Sequence, residues 1–186
     1  MPGATIYFPR PGLAGPHQID NAGLALMALN YARQCAPDGI ANAIWPGRVQ
    51  KLDSGTLAAI WPYQPIWLDG AHNAHGATAL AATLRTIHDG KWNVICGALN
   101  TRDPAEFLAP LRPLAGRVAC LTIPDQDASL SAREMSDAAK HLGLAASPAV
   151  TLAACFDLLD QTAPVIICGS LYLAGHILIQ NKTLPD

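Results

Sequence analysis

From Pro46 to the C-terminus the chain alternates short Val/Ile/Leu runs with helix-patterned segments. That alternation is the signature of βαβ units, and hence of an α/β fold whose mostly parallel sheet has helices on both faces. The spacing predicts strands at 48–52, 57–61, 66–68, 94–98, 117–123 and 165–168, with helices at 73–88, 104–111, 132–142, 151–161 and 171–179. In this reading the helices at 132–142 and 151–161 follow one another with no strand between them. The clearest unit is Ile66-Trp67-Leu68-Asp69-Gly70-Ala71-His72-Asn73, where an apolar run ends in an acid, turns at a glycine and enters an alanine-rich helix pattern. In open parallel sheets, ligands collect at the carboxyl ends of strands, where the following helix presents unpaired N–H groups and its positive dipole end. Asp69, His72 and Asn73 sit at such an edge.

Composition narrows the function classes. Of the 186 residues 51% are hydrophobic and 14% charged, so the chain can bury a substantial core and is not a disordered segment. The net charge is −2 and the twelve basic residues are scattered, which gives no case for a nucleic-acid partner. No apolar run approaches the ~20 residues that span a bilayer. With no secretory leader pattern, the expected setting is cytoplasmic, without a membrane partner. Cys35, Cys96, Cys120, Cys155 and Cys168 form no C-x-x-C pair and read as reduced thiols in a reducing compartment.

Before Pro46 the character differs. Residues 1–16 are rich in proline and glycine around one β-like run, Thr5-Ile6-Tyr7-Phe8. A helix pattern begins at Gln18, with Asp20 or Asn21 placed to cap it, and its segment 22–29 is apolar on every side, as a helix covered on more than one face would be. A short helix at 38–44 ends at Pro46. The expected domains are 1–45 and 46–186.

Each candidate residue has a structural alternative. Asp69 can contact a nucleotide or cap the next helix. Arg48, after Pro46-Gly47, suits bidentate phosphate contact, or is a surface arginine in an ion pair. Asn21 can read an adenine edge or act as an N-cap. The pattern Asp69-x-x-His72-x-x-His75 invites a metal, but no further ligand is near and no metal is expected. Ser170 lies outside any G-x-S-x-G elbow, so helix capping or anion contact fits it better than nucleophilic attack. Arg102, in Asn100-Thr101-Arg102-Asp103, is a second carboxylate-binding candidate.

Four segments occur in one order: Gly15-Pro16-His17-Gln18-Ile19-Asp20-Asn21, Pro46-Gly47-Arg48-Val49-Gln50, Asp69-Gly70-Ala71-His72-Asn73 and Cys168-Gly169-Ser170-Leu171-Tyr172. Together they resemble the C-terminal portion of the folylpolyglutamate synthase/dihydrofolate synthase family of the Mur ligase superfamily. The resemblance implies a Rossmann-like Mur ligase C-terminal domain at 46–186, preceded by a helical remnant of the central ATPase domain. It also implies a full-length enzyme that uses ATP and Mg2+ to make an acyl phosphate on a pteroate or folate carboxylate, which the amine of L-glutamate then attacks. By that resemblance Asn21, Arg48 and Asp69 contact ATP, and His72 matches the histidine of the loop. Ser170 and Arg102, from their places at strand ends, are assigned to glutamate.

The G-x-x-x-x-G-K-[ST] phosphate loop does not occur in these residues. The expectation is therefore part of a ligase about twice as long, inactive alone, holding no cofactor tightly, with helix 22–29 packed back on the α/β domain or across a homodimer. The alternative is a free-standing small-ligand or protein-binding α/β module without ligase chemistry.

Overall fold

In the computed structural model, which describes residues 7–32, 34 and 37–184, the chain divides into two units, Met1–Trp45 and Pro46–Asp186. The first holds helices α1 (His17–Tyr31) and α2 (Pro37–Ala41). Neither Asp20 nor Asn21 caps α1. Pro16 is the N-cap residue, and the amides of Gln18 and Ile19 donate to the carbonyls of Gly15 and Pro16, so backbone turns replace a side-chain cap. Asn21 lies inside the helix and donates to Gln18 Oε1 at 3.1 Å. Leu24 and Met27 are 66% and 71% exposed. Cys35 and part of the run Thr5-Ile6-Tyr7-Phe8 lie outside the described residues.

The second unit is built on strands β1 (Gln50–Lys51), β2 (Ile66–Leu68), β3 (Trp92–Cys96), β4 (Ala115–Leu121), β5 (Ala145–Ala149) and β6 (Val165–Cys168). They form one sheet in the order β1-β2-β6-β3-β4-β5, with β1 antiparallel to β2 and the other pairings parallel. Between the strands run α3 (Thr56–Ile60), α4 (Ala74–Ile87), α5 (Pro104–Leu108), α6 (Ala132–His141), α7 (Leu152–Asp157) and, after β6, α8 (Leu171–Asn181).

Side chains on a strand alternate between faces, and β3 shows the result. Val94 and Cys96 pack with Ala77 and Leu80 of α4, Phe107 of α5 and Met135 of α6. Ile95 packs with Leu57 of α3, Phe156 of α7 and Ile177 of α8. Helices therefore cover both faces. The chain leaves β2, crosses through α4 to β3, and returns only at the end to lay β6 between the two. Every residue of β3 and β6 is buried, which is why both read as continuous apolar runs.

Two expectations fail. Residues 57–61 are mostly helical, because Gly55 turns at φ 91 and the Leu57 amide donates to Asn181 Oδ1 at 2.8 Å, fixing the first turn of α3. The strand β5, Ala-Ala-Ser-Pro-Ala, was not expected between two helices, since its residues have little β-propensity. Its edge position tolerates Pro148, because a proline there costs no interior ladder bond.

Cys96, Cys120, Cys155 and Cys168 are buried free thiols, with Cys96 Sγ 3.9 Å from Cys120 Sγ. Burial, with a smaller contribution from Cys120, pushes Cys155 from 9.0 up to about 12, while burial and then the charge of Asp69 raise Cys168 further. An unfolded chain would ionise these thiols first. Their contribution to stability is thus full below the ordinary thiol range and is lost as pH rises through it toward the folded value. Urea midpoints measured from about pH 8 to about pH 11 should fall more steeply for the wild type than for Cys155→Ala; parallel profiles would contradict this.

Candidate functional site

The ladder does not stop at Leu68. The Asp69 amide donates to the Ile167 carbonyl at 2.9 Å, so the acid leaves the sheet with its backbone still held. Its carboxylate is only 5% exposed: Oδ1 accepts from the Ala71 amide at 2.7 Å and Oδ2 from the Val49 amide at 2.9 Å. The Gly70 amide donates to the Gly47 carbonyl at 2.7 Å, and the Gly47 amide to Gln50 Oε1 at 2.9 Å. Loop 46–50 is thereby fastened to the end of β2. Gly47 has φ 67 and Val49 φ 47; the first is ordinary for glycine, the second an outlier for a β-branched residue. Between them Arg48 is half-buried.

Asp69 does not cap α4. That role falls to Asn73, whose Oδ1 accepts from the Gly76 amide at 2.8 Å. His72, exposed on the turn between them, has Nδ1 2.8 Å from the Gly70 carbonyl. A carbonyl can only accept, so Nδ1 carries the proton and a neutral His72 keeps its lone pair on Nε2. His75 is exposed on the first turn of α4, and among the described residues no group of three or more His, Cys, Asp or Glu could hold a metal ion.

At the end of β6, Gly169 has φ 112 and its amide donates to the Ala71 carbonyl at 2.8 Å. A Cβ there would stand 2.5 Å from the Gly97 carbonyl oxygen at the end of β3, so only glycine lets these two strand ends approach. Ser170, 3% exposed, is the N-cap of α8, its Oγ accepting from the Tyr172 amide at 3.1 Å. At the end of β3, Asp103 caps α5 by accepting from the Ala105 amide at 2.9 Å, and the preceding Arg102 is exposed.

These three strand ends enclose a cavity of about 190 Å³ whose walls include His72, Thr101, Arg102, Asp103, Ser170 and Tyr172. Three candidates, His72, Arg102 and Ser170, therefore meet in one place. Arg48 and Asp69 are not among its walls, though the Arg48 loop is bonded to the same strand end. Asn21 belongs to the first unit. Thr101 and Asp103 escaped the sequence reading of the site, although the Asp103-Pro104 cap signature marks where that wall turns into a helix. Tyr172 stood in a motif without a role.

Residues 55–171 match the family described as Mur ligase, glutamate ligase domain. The chain belongs to this family. It is 31% identical over 176 residues to the folylpolyglutamate synthase of Lacticaseibacillus casei, covering 89% of this chain and 38% of that protein. Its fold superposes on Mycobacterium tuberculosis folylpolyglutamate synthase complexed with ADP with a TM-score of 0.80 at 26% identity, over 97% of this chain and 43% of that one. A bifunctional folylpolyglutamate synthase/dihydrofolate synthase with Mn, AMPPNP and L-glutamate bound gives 0.75 at 26% identity, over 94% and 41%. The chain thus spans about two fifths of the length of these relatives.

In this Mur ligase domain the start of α4 rests on one side-chain acceptor. Asn73→Ala should cost about 1 kcal/mol in urea unfolding, the usual value of an N-cap. The acid of the same loop cannot replace it, since its oxygens already hold Ala71 and Val49. An unchanged midpoint would mean that the Gly76 amide has another acceptor.

Proposed function

We propose that the chain is the C-terminal part of an ATP-dependent ligase that joins L-glutamate to a pteroate or folate carboxylate. The observation that carries this reading is the cavity holding His72, Arg102 and Ser170 together. Its volume of about 190 Å³ exceeds the ~150 Å³ that holds a benzene but falls short of the ~300–1,000 Å³ of drug-sized sites, so it suits one amino acid rather than a nucleotide. Arg102 offers a guanidinium to one carboxylate, and the capped start of α8 offers amide hydrogens and a dipole to another. Two acceptor-seeking ends suit a dicarboxylic amino acid. Ligases of the matched type with L-glutamate bound support that choice.

In the proposed reaction a substrate carboxylate oxygen attacks the γ-phosphorus of ATP, and ADP leaves with the electrons of the broken P–O bond. The glutamate nitrogen then attacks the acyl carbon, the C–O bond breaks toward phosphate, and the amine loses a proton. Arg48 offsets phosphate charge during the first step. His72, with its Nε2 lone pair free in the neutral ring, takes the proton in the second. The donor set described above does not fit a resident Mg2+, and this chain's own contribution runs through Arg48, His72, Arg102 and Ser170. The buried free thiols support a reducing, cytoplasmic setting.

Titrating the chain with L-glutamate while following backbone amide resonances should show saturable shifts at residues 101–103 and 170–172. Arg102→Ala should weaken binding about tenfold or more, the worth of a hydrogen-bonded charge. Ligation of glutamate to dihydropteroate with ATP should stay at background for this chain alone. No shift at the cavity would favour the alternative of a binding module for another ligand, and turnover within the ordinary ~1–10³ s⁻¹ range would show that the chain needs nothing further.

A further inference from the structure

Nothing in the reaction explains why the acid after β2 is turned inward. Asp69 is 5% exposed, and its two oxygens receive the amides of Val49 and Ala71, residues twenty positions before it and two after it. An acid that served only to meet a ligand would be expected to keep an oxygen open. An acid that served only to shape its own turn would need Ala71 and not Val49. The second bond reaches a residue whose backbone, at φ 47, would not hold that conformation unaided. Gly47, on the other side of Arg48, is fixed by the Gly70 amide and by Gln50 Oε1, and a Cβ on it would meet Ala174 Cβ at 3.4 Å. Both neighbours of Arg48 are buried, while Arg48 itself is half-buried.

We propose that Asp69 is a positioning residue: its carboxylate latches loop 46–50 at the Val49 amide and so sets where the Arg48 guanidinium stands. The proposal rests on the reading of Arg48 as the phosphate-facing group. The latch makes that group part of the sheet edge instead of a mobile surface arginine, so no ordering of the loop has to accompany nucleotide binding.

The test uses the whole chain, with amide hydrogen exchange at Val49 and Ala71 as one readout. The second is the Arg48 Nε–H resonance during titration with Mg–ADP to millimolar levels. Asp69→Asn keeps the shape but replaces one acceptor by a donor. It should speed exchange at Val49 by about ten- to a hundredfold, the range expected for losing a bond to a charged acceptor. It should also shift the Arg48 response to at least about tenfold higher ADP.

Gly47→Ala disturbs the loop from its other end with the acid intact, through its strained φ and the Ala174 contact. It should weaken the Arg48 response likewise, and it decides the matter if Asp69→Asn does not fold. Arg48→Ala should remove ADP binding without altering exchange at Val49.

Unchanged Val49 exchange in Asp69→Asn, or an intact Arg48 response in both loop variants, overturns the latch. If Arg48 is silent to Mg–ADP in the wild type and Arg48→Ala binds equally well, the phosphate reading falls and the positioning role with it. Exchange at Val49 still reports whether the acid holds the loop.

Discussion

One buried carboxylate receives two backbone amides that are far apart in sequence, and the edge of the sheet that bears the cavity is tied together at that junction. Without the bond to the Ala71 amide, the turn after β2 has no reason to bring the Ala71 carbonyl to the Gly169 amide. Without that carbonyl, the Gly169 amide, one step past β6, loses its bond to the loop after β2. Gly169 in turn lies against Gly97, so the wall formed by the end of β3 is placed by the same chain of contacts. A charge withdrawn from water is costly unless several hydrogen bonds meet it. Here the donors belong to the very turns that must be fixed, so solvating the acid and shaping the site are one event.

The rest of the second unit is built from elements that could not stand alone. Helices α3 and α5 have five residues each and α7 has six. Isolated helices below ~12–15 residues are marginal in water. They persist because Leu57, Phe107 and Phe156 are buried against the sheet and because side chains close their open ends: Asp103 for α5, Thr151 for α7 and Asn181 for α3. The longer α6 carries a reciprocal capping box, Ser131 with Glu134, whose carboxyl is held below its ordinary range by the Ser131 hydroxyl and amide. Local preference and tertiary burial agree across most of this unit, β5 and the strained Val49 aside, as a funnelled landscape favours. In the first unit they do not: α1 lacks a side-chain cap and exposes Leu24 and Met27.

What the sequence made legible follows from the same physics. Strands β2 and β6 stood out because burial on both faces leaves no polar position in Ile-Trp-Leu and Val-Ile-Ile-Cys. Of their helices, α4 stood out through its alanine-rich pattern and α8 through the strand end and Ser170 that precede it. β5 was hidden because an edge strand of Ala, Ser and Pro carries no such signal, and α3 because five residues hold barely one turn of periodicity. Within the site, His72, Arg102 and Ser170 could be read because each sits one loop beyond a legible strand. Asp69 was read as a ligand contact or a cap. Its bond to Val49 spans twenty residues, and no local pattern announces a pairing made only when β1 folds beside β2.

That pairing also explains why position 49 carries a valine where glycine would be unstrained. Val49 is 5% exposed and packs in the same cluster as Ala71 and Ala77. Burying a valine contributes about 1.5–3 kcal/mol, while a left-handed non-glycine residue costs about 1–3 kcal/mol. The two nearly cancel, which leaves the bond to the Asp69 carboxylate to decide where the loop rests. A glycine would remove the strain but also the anchor, and the loop would then turn on its hydrogen bonds as a hinge. With valine the backbone on one side of Arg48 is pinned by a side chain in the core and by an amide on a charge. The guanidinium is left as the part of the loop with freedom to move.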